Sequence, residues 1–152
     1  MTTAEPALHQ LLGWWESTRR DLPWRRTRDP WSVLVSEVML QQTQVDRVIP
    51  RWHRFLERFP TTTACTAAGV GAVVEEWAGL GYNRRAVALH ACASSVEECH
   101  GGAFPDDLGA LLALPGIGPY TGRAVLAFAF ERDVAVVDTN VGRILARTAG
   151  RT

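Results

Sequence analysis

The sequence predicts an all-α fold, and three observations carry that expectation. Apolar residues recur at i, i+3 and i+4 through most of the chain, the spacing that lines one face of a helix. Only one short stretch, residues 134–137, is extended and apolar like a strand. One strand makes no sheet, because its backbone N–H and C=O groups need a neighbour to pair with. Gly and Pro also fall between the periodic segments, most densely at residues 115–119. Pro lacks an N–H and Gly has little helical preference, so neither continues a helix there.

Taken in order, residues 6–20 read as an amphipathic helix, with Pro6 in its first turn and Leu8, Leu11, Leu12 and Trp15 as its apolar stripe. Residues 22–30 form a loop carrying charge and an aromatic ring. Pro30 starts a second helix that runs to about Gln42 and puts Val33, Leu34, Glu37, Leu40 and Gln41 on one face. Residues 45–59 form a third, with Val48, Ile49, Trp52, Phe55, Leu56 and Phe59 inward and Arg47, Arg51, Arg54 and Arg58 on another side. Pro50 marks a kink or a late start in it, and Pro60 ends it. Residues 61–68 and 70–78 are two short helices, residues 79–83 a turn, and residues 84–99 an alanine-rich helix. After the loop at 101–105, Asp106 is placed to cap the next helix. Leu108, Leu111 and Leu112 lead into the Gly/Pro cluster, and Val125, Phe128 and Ala129 follow it. That is helix, tight hairpin, helix. A last helix spans residues 141–149.

The chain has 152 residues, which suits one domain or a fragment of one. No run of about 18 uncharged apolar residues occurs, so no membrane-spanning helix is expected. The first residues lack the basic and apolar regions of a signal peptide, which makes the cytoplasm the expected location. Net charge is zero, yet arginines cluster: Arg19, Arg20, Arg25, Arg26 and Arg28; the pair Arg84 and Arg85; and Arg143, Arg147 and Arg151 along one helix face. Such groups are either solvated surface or phosphate contacts. All sixteen basic residues are arginine, which excludes Schiff-base chemistry by a lysine of this chain. Cys65, Cys92 and Cys99 contain no C-x-x-C pair and read as buried or free thiols of a reducing compartment.

Three regions carry candidate chemistry. Gly116 and Gly118 in the hairpin can take positive φ and admit another molecule close to the backbone. The helix that begins there points its free N–H groups outward, an anion site suited to phosphate; the alternative is an ordinary helix connection. Glu37 lies among apolar neighbours, which would raise its pKa and suit a general acid, unless its carboxylate reaches water at the edge of the stripe. Asp138 precedes a helix and could be a plain N-cap, but Asn140 lies close and the hairpin is a short way upstream.

The string LPGIGPYTG at residues 114–122 closely resembles the helix-hairpin-helix of DNA glycosylases related to endonuclease III and MutY. SEVMLQQTQV at residues 36–45 resembles the MutY segment with the catalytic Glu, and VDTNV at 137–141 the segment with the catalytic Asp. LPWR at 22–25 and GLGY at 79–82 resemble further MutY segments. These motifs fall in the family's order and span almost the whole chain. The resemblance implies a helix-hairpin-helix glycosylase fold lacking its C-terminal helices. Residues 1–152 would form one catalytic domain, with a helical core at 22–132 around the hairpin. Residues 1–21 and 133–152 would contribute to a second, incomplete lobe.

The implied activity is a monofunctional DNA glycosylase of base-excision repair, removing adenine mispaired with 8-oxoguanine or guanine. Its partner would be double-stranded DNA containing a mismatch or oxidised guanine, met by a monomer at the bacterial nucleoid. By the same resemblance Glu37 would protonate adenine at N7 and Asp138 would stabilise the oxocarbenium-like sugar, a two-carboxylate logic known from glycoside hydrolysis. Tyr120 and Asn140 would support them. Leu22, Trp24 and Arg25 would lie near the extruded adenine, and Gln42 and Tyr82 would enter the base stack. Gly116, Ile117, Gly118 and Thr121 would hold a phosphate, with a monovalent cation at residues 114–119. Bifunctional relatives carry a catalytic lysine at the position of Tyr120, which permits strand cleavage.

Some features depart from the family pattern. Asn83 replaces a second aromatic after Tyr82. The four-cysteine motif for a 4Fe–4S cluster would lie beyond Thr152, so no cofactor is expected within residues 1–152, and a cluster belongs to a longer parent only if that motif lies downstream. The separate domain that reads 8-oxoguanine in MutY is likewise expected to lie outside residues 1–152. Three other readings remain: a thymine or uracil mismatch glycosylase of the same superfamily, a non-catalytic helix-hairpin-helix DNA-binding module, and an inactive fragment of the parent enzyme.

Overall fold

A computed structural model describes residues 4–150, with side chains from residue 8 onward. Among the described residues the regular structure is entirely helical. The helices are α1 (Ala4–Thr18), α2 (Pro30–Leu40), α3 (Val45–Arg58), α4 (Thr62–Glu76), α5 (Arg84–His100), α6 (Leu108–Ala113), α7 (Pro119–Phe128) and α8 (Thr139–Thr148), with one 3-10 turn at Pro23–Arg25.

The centre of the fold is α2. Asp29 caps it, accepting from the Ser32 N–H at 2.8 Å, and Pro30 needs no N–H partner in the first turn. Trp31, Val33, Leu34, Val35, Ser36, Val38 and Met39 are all buried, so this helix is apolar nearly all round. Such a helix belongs inside a core, and α3, α5, α7 and the 3-10 turn pack around it. Each fully buried aliphatic here contributes about 1.5–3 kcal/mol of transfer free energy. Two indoles fix α3 against it. Trp31 Nε1 donates to Phe59 O and Trp52 Nε1 to Ser32 O, each at 2.9 Å. Pro50 lies inside α3 and delays nothing, since the helix already runs from Val45.

The two short helices expected at 61–68 and 70–78 are present as the two arms of α4, which meet at a kink where Gly69 leaves the helical region with φ 79° and ψ 158°. The cap of α6 is Asp107 rather than Asp106: Asp107 Oδ1 accepts from Ala110 N at 2.9 Å, while Asp106 pairs with Arg132. Residues 134–137 are extended but join no sheet among the described residues. The stripe of α1 is not buried: Leu8, Leu11, Leu12 and Trp15 are 41–56% exposed. Helix α8 likewise buries no residue. The core therefore lies between the 3-10 turn and α7. No described helix is long and apolar enough to cross a membrane.

Candidate active site

Glu37 projects from α2 into a cleft of about 410 Å³ that it lines with Leu22, Trp24, Arg25 and Tyr120. That volume lies in the range of small-ligand sites and suits one flat heterocycle. Leu22 and Trp24 are buried, fixed by the 3-10 turn, and Trp24 packs edge-on against Trp52 with ring centroids 6.0 Å apart. Arg25 donates from Nη1 to Arg20 O at 2.8 Å and lies 4.8 Å above the Trp15 ring. The predicted adenine-side residues thus share one cleft with Glu37. Trp15, Arg19, Arg20 and Arg28 join them. The arginine cluster is visible in the sequence, whereas helical spacing places Trp15 only on an apolar stripe.

Burial pushes the Glu37 carboxyl above its ordinary range, opposed by a hydrogen bond from the Tyr120 hydroxyl. Burial, the Glu37 charge and bond, and the Asp138 charge push the Tyr120 phenol up to about 12. Tyr120 therefore feels both carboxylates. Asp138 is exposed and caps α8, accepting from Val141 N at 2.7 Å through Oδ1. Capping and proximity to the site coexist. Asn140 is exposed in the first turn of α8 and makes no hydrogen bond to Glu37 or Tyr120 among the described residues.

The two hairpin glycines serve different ends. Gly116 has φ 76°, and a Cβ there would stand 2.9 Å from Ala88 Cβ. The fold itself requires this glycine. Gly118 has φ −90°, so the expectation of left-handed freedom does not apply to it, and a Cβ there would meet open space. Gly118 caps α7, whose first turn closes with Gly122 N donating to Gly118 O at 2.9 Å. The N–H groups of Gly118, Tyr120 and Thr121 are left without partners among the described residues. Ile117 is a correction: it is buried and its N–H donates to Leu114 O, so it anchors the hairpin and offers no phosphate donor. The Thr121 side chain is also buried, which leaves only its N–H to an anion.

The carbonyls of Pro115, Gly116 and Ile117 accept no hydrogen bond among the described residues, a hard-oxygen set that fits a monovalent cation. The cysteines do not fit an iron–sulfur cluster. Cys65 and Cys92 are buried with thiols pushed up to about 12, and Cys99 lies exposed. No described cluster of His, Cys, Asp and Glu could hold a metal ion.

Gln42 and Tyr82, predicted to enter the stack, are exposed at two turns with φ of 56° and 49°. They flank a second cleft of about 340 Å³ with Arg84 and Arg85. The arginine pair divides: Arg84 is exposed, but Arg85 is 7% exposed and engaged inside, so the expectation of two phosphate contacts fails for Arg85. Arg151 lies outside the described residues.

Residues 35–151 match the family described as HhH-GPD superfamily base excision DNA repair protein. The chain belongs to this superfamily. It is 51% identical over 139 residues to an adenine DNA glycosylase of Mycolicibacterium smegmatis, covering 91% of this chain and 47% of the relative. A human adenine DNA glycosylase is 42% identical over 146 residues, covering 90% of this chain and 27% of that protein. The chain therefore spans about half, or less, of the length of these curated relatives. Among solved structures, a thermostable thymine-DNA glycosylase superposes with a TM-score of 0.87 at 32% identity, covering 93% of this chain and 65% of that one. An endonuclease III–DNA complex superposes at 0.80 with 23% identity over 98% of this chain and 70% of that one, a likeness of fold. The HhH-GPD match takes in Glu37, the hairpin and Asp138 together.

Proposed function

We propose that this chain is the catalytic part of a monofunctional DNA glycosylase that removes adenine opposite 8-oxoguanine or guanine in double-stranded DNA. The observation that carries the reading is the cleft of about 410 Å³ that Glu37 lines together with Leu22, Trp24, Arg25 and Tyr120, a volume sized for a base. Adenine swings out of the duplex into that cleft, against Leu22 and Trp24, since a stacked base hides its glycosidic bond. Glu37, whose carboxyl burial pushes above its ordinary range, donates its proton to N7 as the C1′–N9 bond breaks and the bonding electrons pass to the base. The sugar is left cationic, and the Asp138 carboxylate stabilises it until water adds at C1′ and releases a proton. The free N–H groups at the start of α7, with the dipole behind them, hold a backbone phosphate, and the hairpin carbonyls hold a monovalent cation.

Tyr120 supplies no amine at this position, so the product is an intact strand with an abasic site. Similarity to curated adenine DNA glycosylases favours adenine, whereas the thymine-DNA glycosylase superposition supports a second reading, a mismatched pyrimidine. Single-turnover base release from A:8-oxoguanine, T:G and U:G duplexes separates the two. Release of adenine is expected. Faster thymine or uracil release replaces the substrate assignment, and binding without release from any duplex leaves a DNA-binding module.

A further inference from the structure

Arg85 joins two turns that are distant in sequence. Its Nη1 donates to Val38 O at 2.9 Å, to Met39 O at 3.1 Å and to Gln41 O. Its Nη2 donates to Thr43 Oγ1 at 3.2 Å, Leu80 O at 3.2 Å and Gly81 O at 3.0 Å. One planar fork thus satisfies the open C-terminal carbonyls of α2 and the carbonyls of the 79–82 turn together. Carbonyls at a helix end would otherwise need water or a cap. The guanidinium carbon also lies 5.5 Å from the Trp77 ring centroid and 5.6 Å from that of Tyr82. Arg47, from α3, donates to Gly79 O on the other side of the same turn.

What these two turns carry is unusual backbone. Gln42 and Tyr82 account for two of the three non-glycine residues with positive φ among the described residues, and Gly79 and Gly81 precede Tyr82 with φ of 87° and 75°. For a non-glycine residue such a conformation is strained and persists only where the surroundings over-determine it. Arg85 is the side chain common to both.

We infer that Arg85 is a positioning residue that locks the 41–43 and 79–82 turns into one unit, so that Gln42 and Tyr82 reach the DNA stack together. This rests on the glycosylase reading above. The fork is what the geometry needs, and a lysine would keep the charge but reach only one of the two turns.

The test is made in the full chain with Arg85→Lys, on a duplex carrying 2-aminopurine beside an A:8-oxoguanine pair. Wild-type protein should raise the fluorescence as the stack opens. Arg85→Lys should lose most of that rise, and its preference for the lesion duplex over an undamaged one should fall by about tenfold to 10²-fold, the scale of a small misplacement. Its affinity for the undamaged duplex should be unchanged. An unchanged fluorescence rise and preference would overturn the Arg85 inference and leave the glycosylase reading standing. Absence of both the rise and base release in the wild type would instead remove the reading beneath it. If Arg85→Lys loses its cooperative melt, Thr43→Val, which deletes one acceptor from the 41–43 turn, carries the same measurement. A reduced rise supports the inference and an unchanged one overturns it.

Discussion

Glu37 sits on the helix around which the core is packed, whereas Asp138 opens a helix that buries nothing. Both act on one phenol, Tyr120, from these opposite settings. The difference follows their proposed tasks. A proton donor gains from desolvation, because burial favours the neutral acid. A counter-charge for a transient cation gains from keeping its solvation until the sugar arrives, and an exposed helix start allows that. The core thus builds the acid rigidly, and the exposed flank supplies the anion. Tyr120, at the second position of α7, joins the two regions.

The sharpest way to break this pairing is to neutralise each partner. Glu37→Gln and Asp138→Asn should each slow single-turnover base release by about 10²–10⁴-fold while duplex affinity holds. Asp138→Asn retains an oxygen for the Val141 N–H, so its fold should survive. A wild-type release rate in a folded Asp138→Asn protein would reduce Asp138 to a cap.

The hairpin separates structural from ligand demands in the same way. Gly116→Ala should destabilise the protein by about 1–3 kcal/mol, since the new Cβ strikes Ala88 and the backbone is left-handed. Gly118→Val should cost no more than about 1 kcal/mol, the scale of a poorer N-cap residue, but weaken binding to every duplex alike, because phosphate contacts carry no sequence information. Equal melting loss in both variants would show that Gly118 is a structural residue as well.

Two smaller effects concern pH. Base release should be fastest where Glu37 is protonated and should decline as pH rises through its elevated pKa. Tyr120→Phe removes the hydrogen bond that favours the carboxylate, so this decline should move to higher pH. A decline that stays in place would mean that the bond does not act on the acid. Stability gives an independent reading of the same burial. The Glu37 contribution is fully present below the ordinary Glu pKa of about 4.3 and is lost as pH rises through the raised folded value. Glu37→Gln should therefore melt with the wild type in acid and above it near neutrality. Identical melting curves across that range would refute the desolvation of Glu37.

The sequence by itself determined the helical class, the order of the helices, the hairpin and the absence of lysine at position 120, because periodicity and Gly/Pro punctuation are local properties of the chain. It also singled out Glu37, Leu22, Trp24, Arg25 and Tyr120, which tertiary packing then gathered into one cleft. Other choices belonged to the tertiary structure alone. Asp106 and Asp107 are equivalent caps until Arg132 claims the first. Gly116 and Gly118 look alike until Ala88 comes up against one of them. Arg84 and Arg85 read as one basic pair until the fork of the second turns inward to carbonyls more than forty positions upstream. A hydrogen-bond acceptor supplied by another helix leaves no trace in the spacing of neighbouring residues, and only packing decides which of two identical side chains receives it.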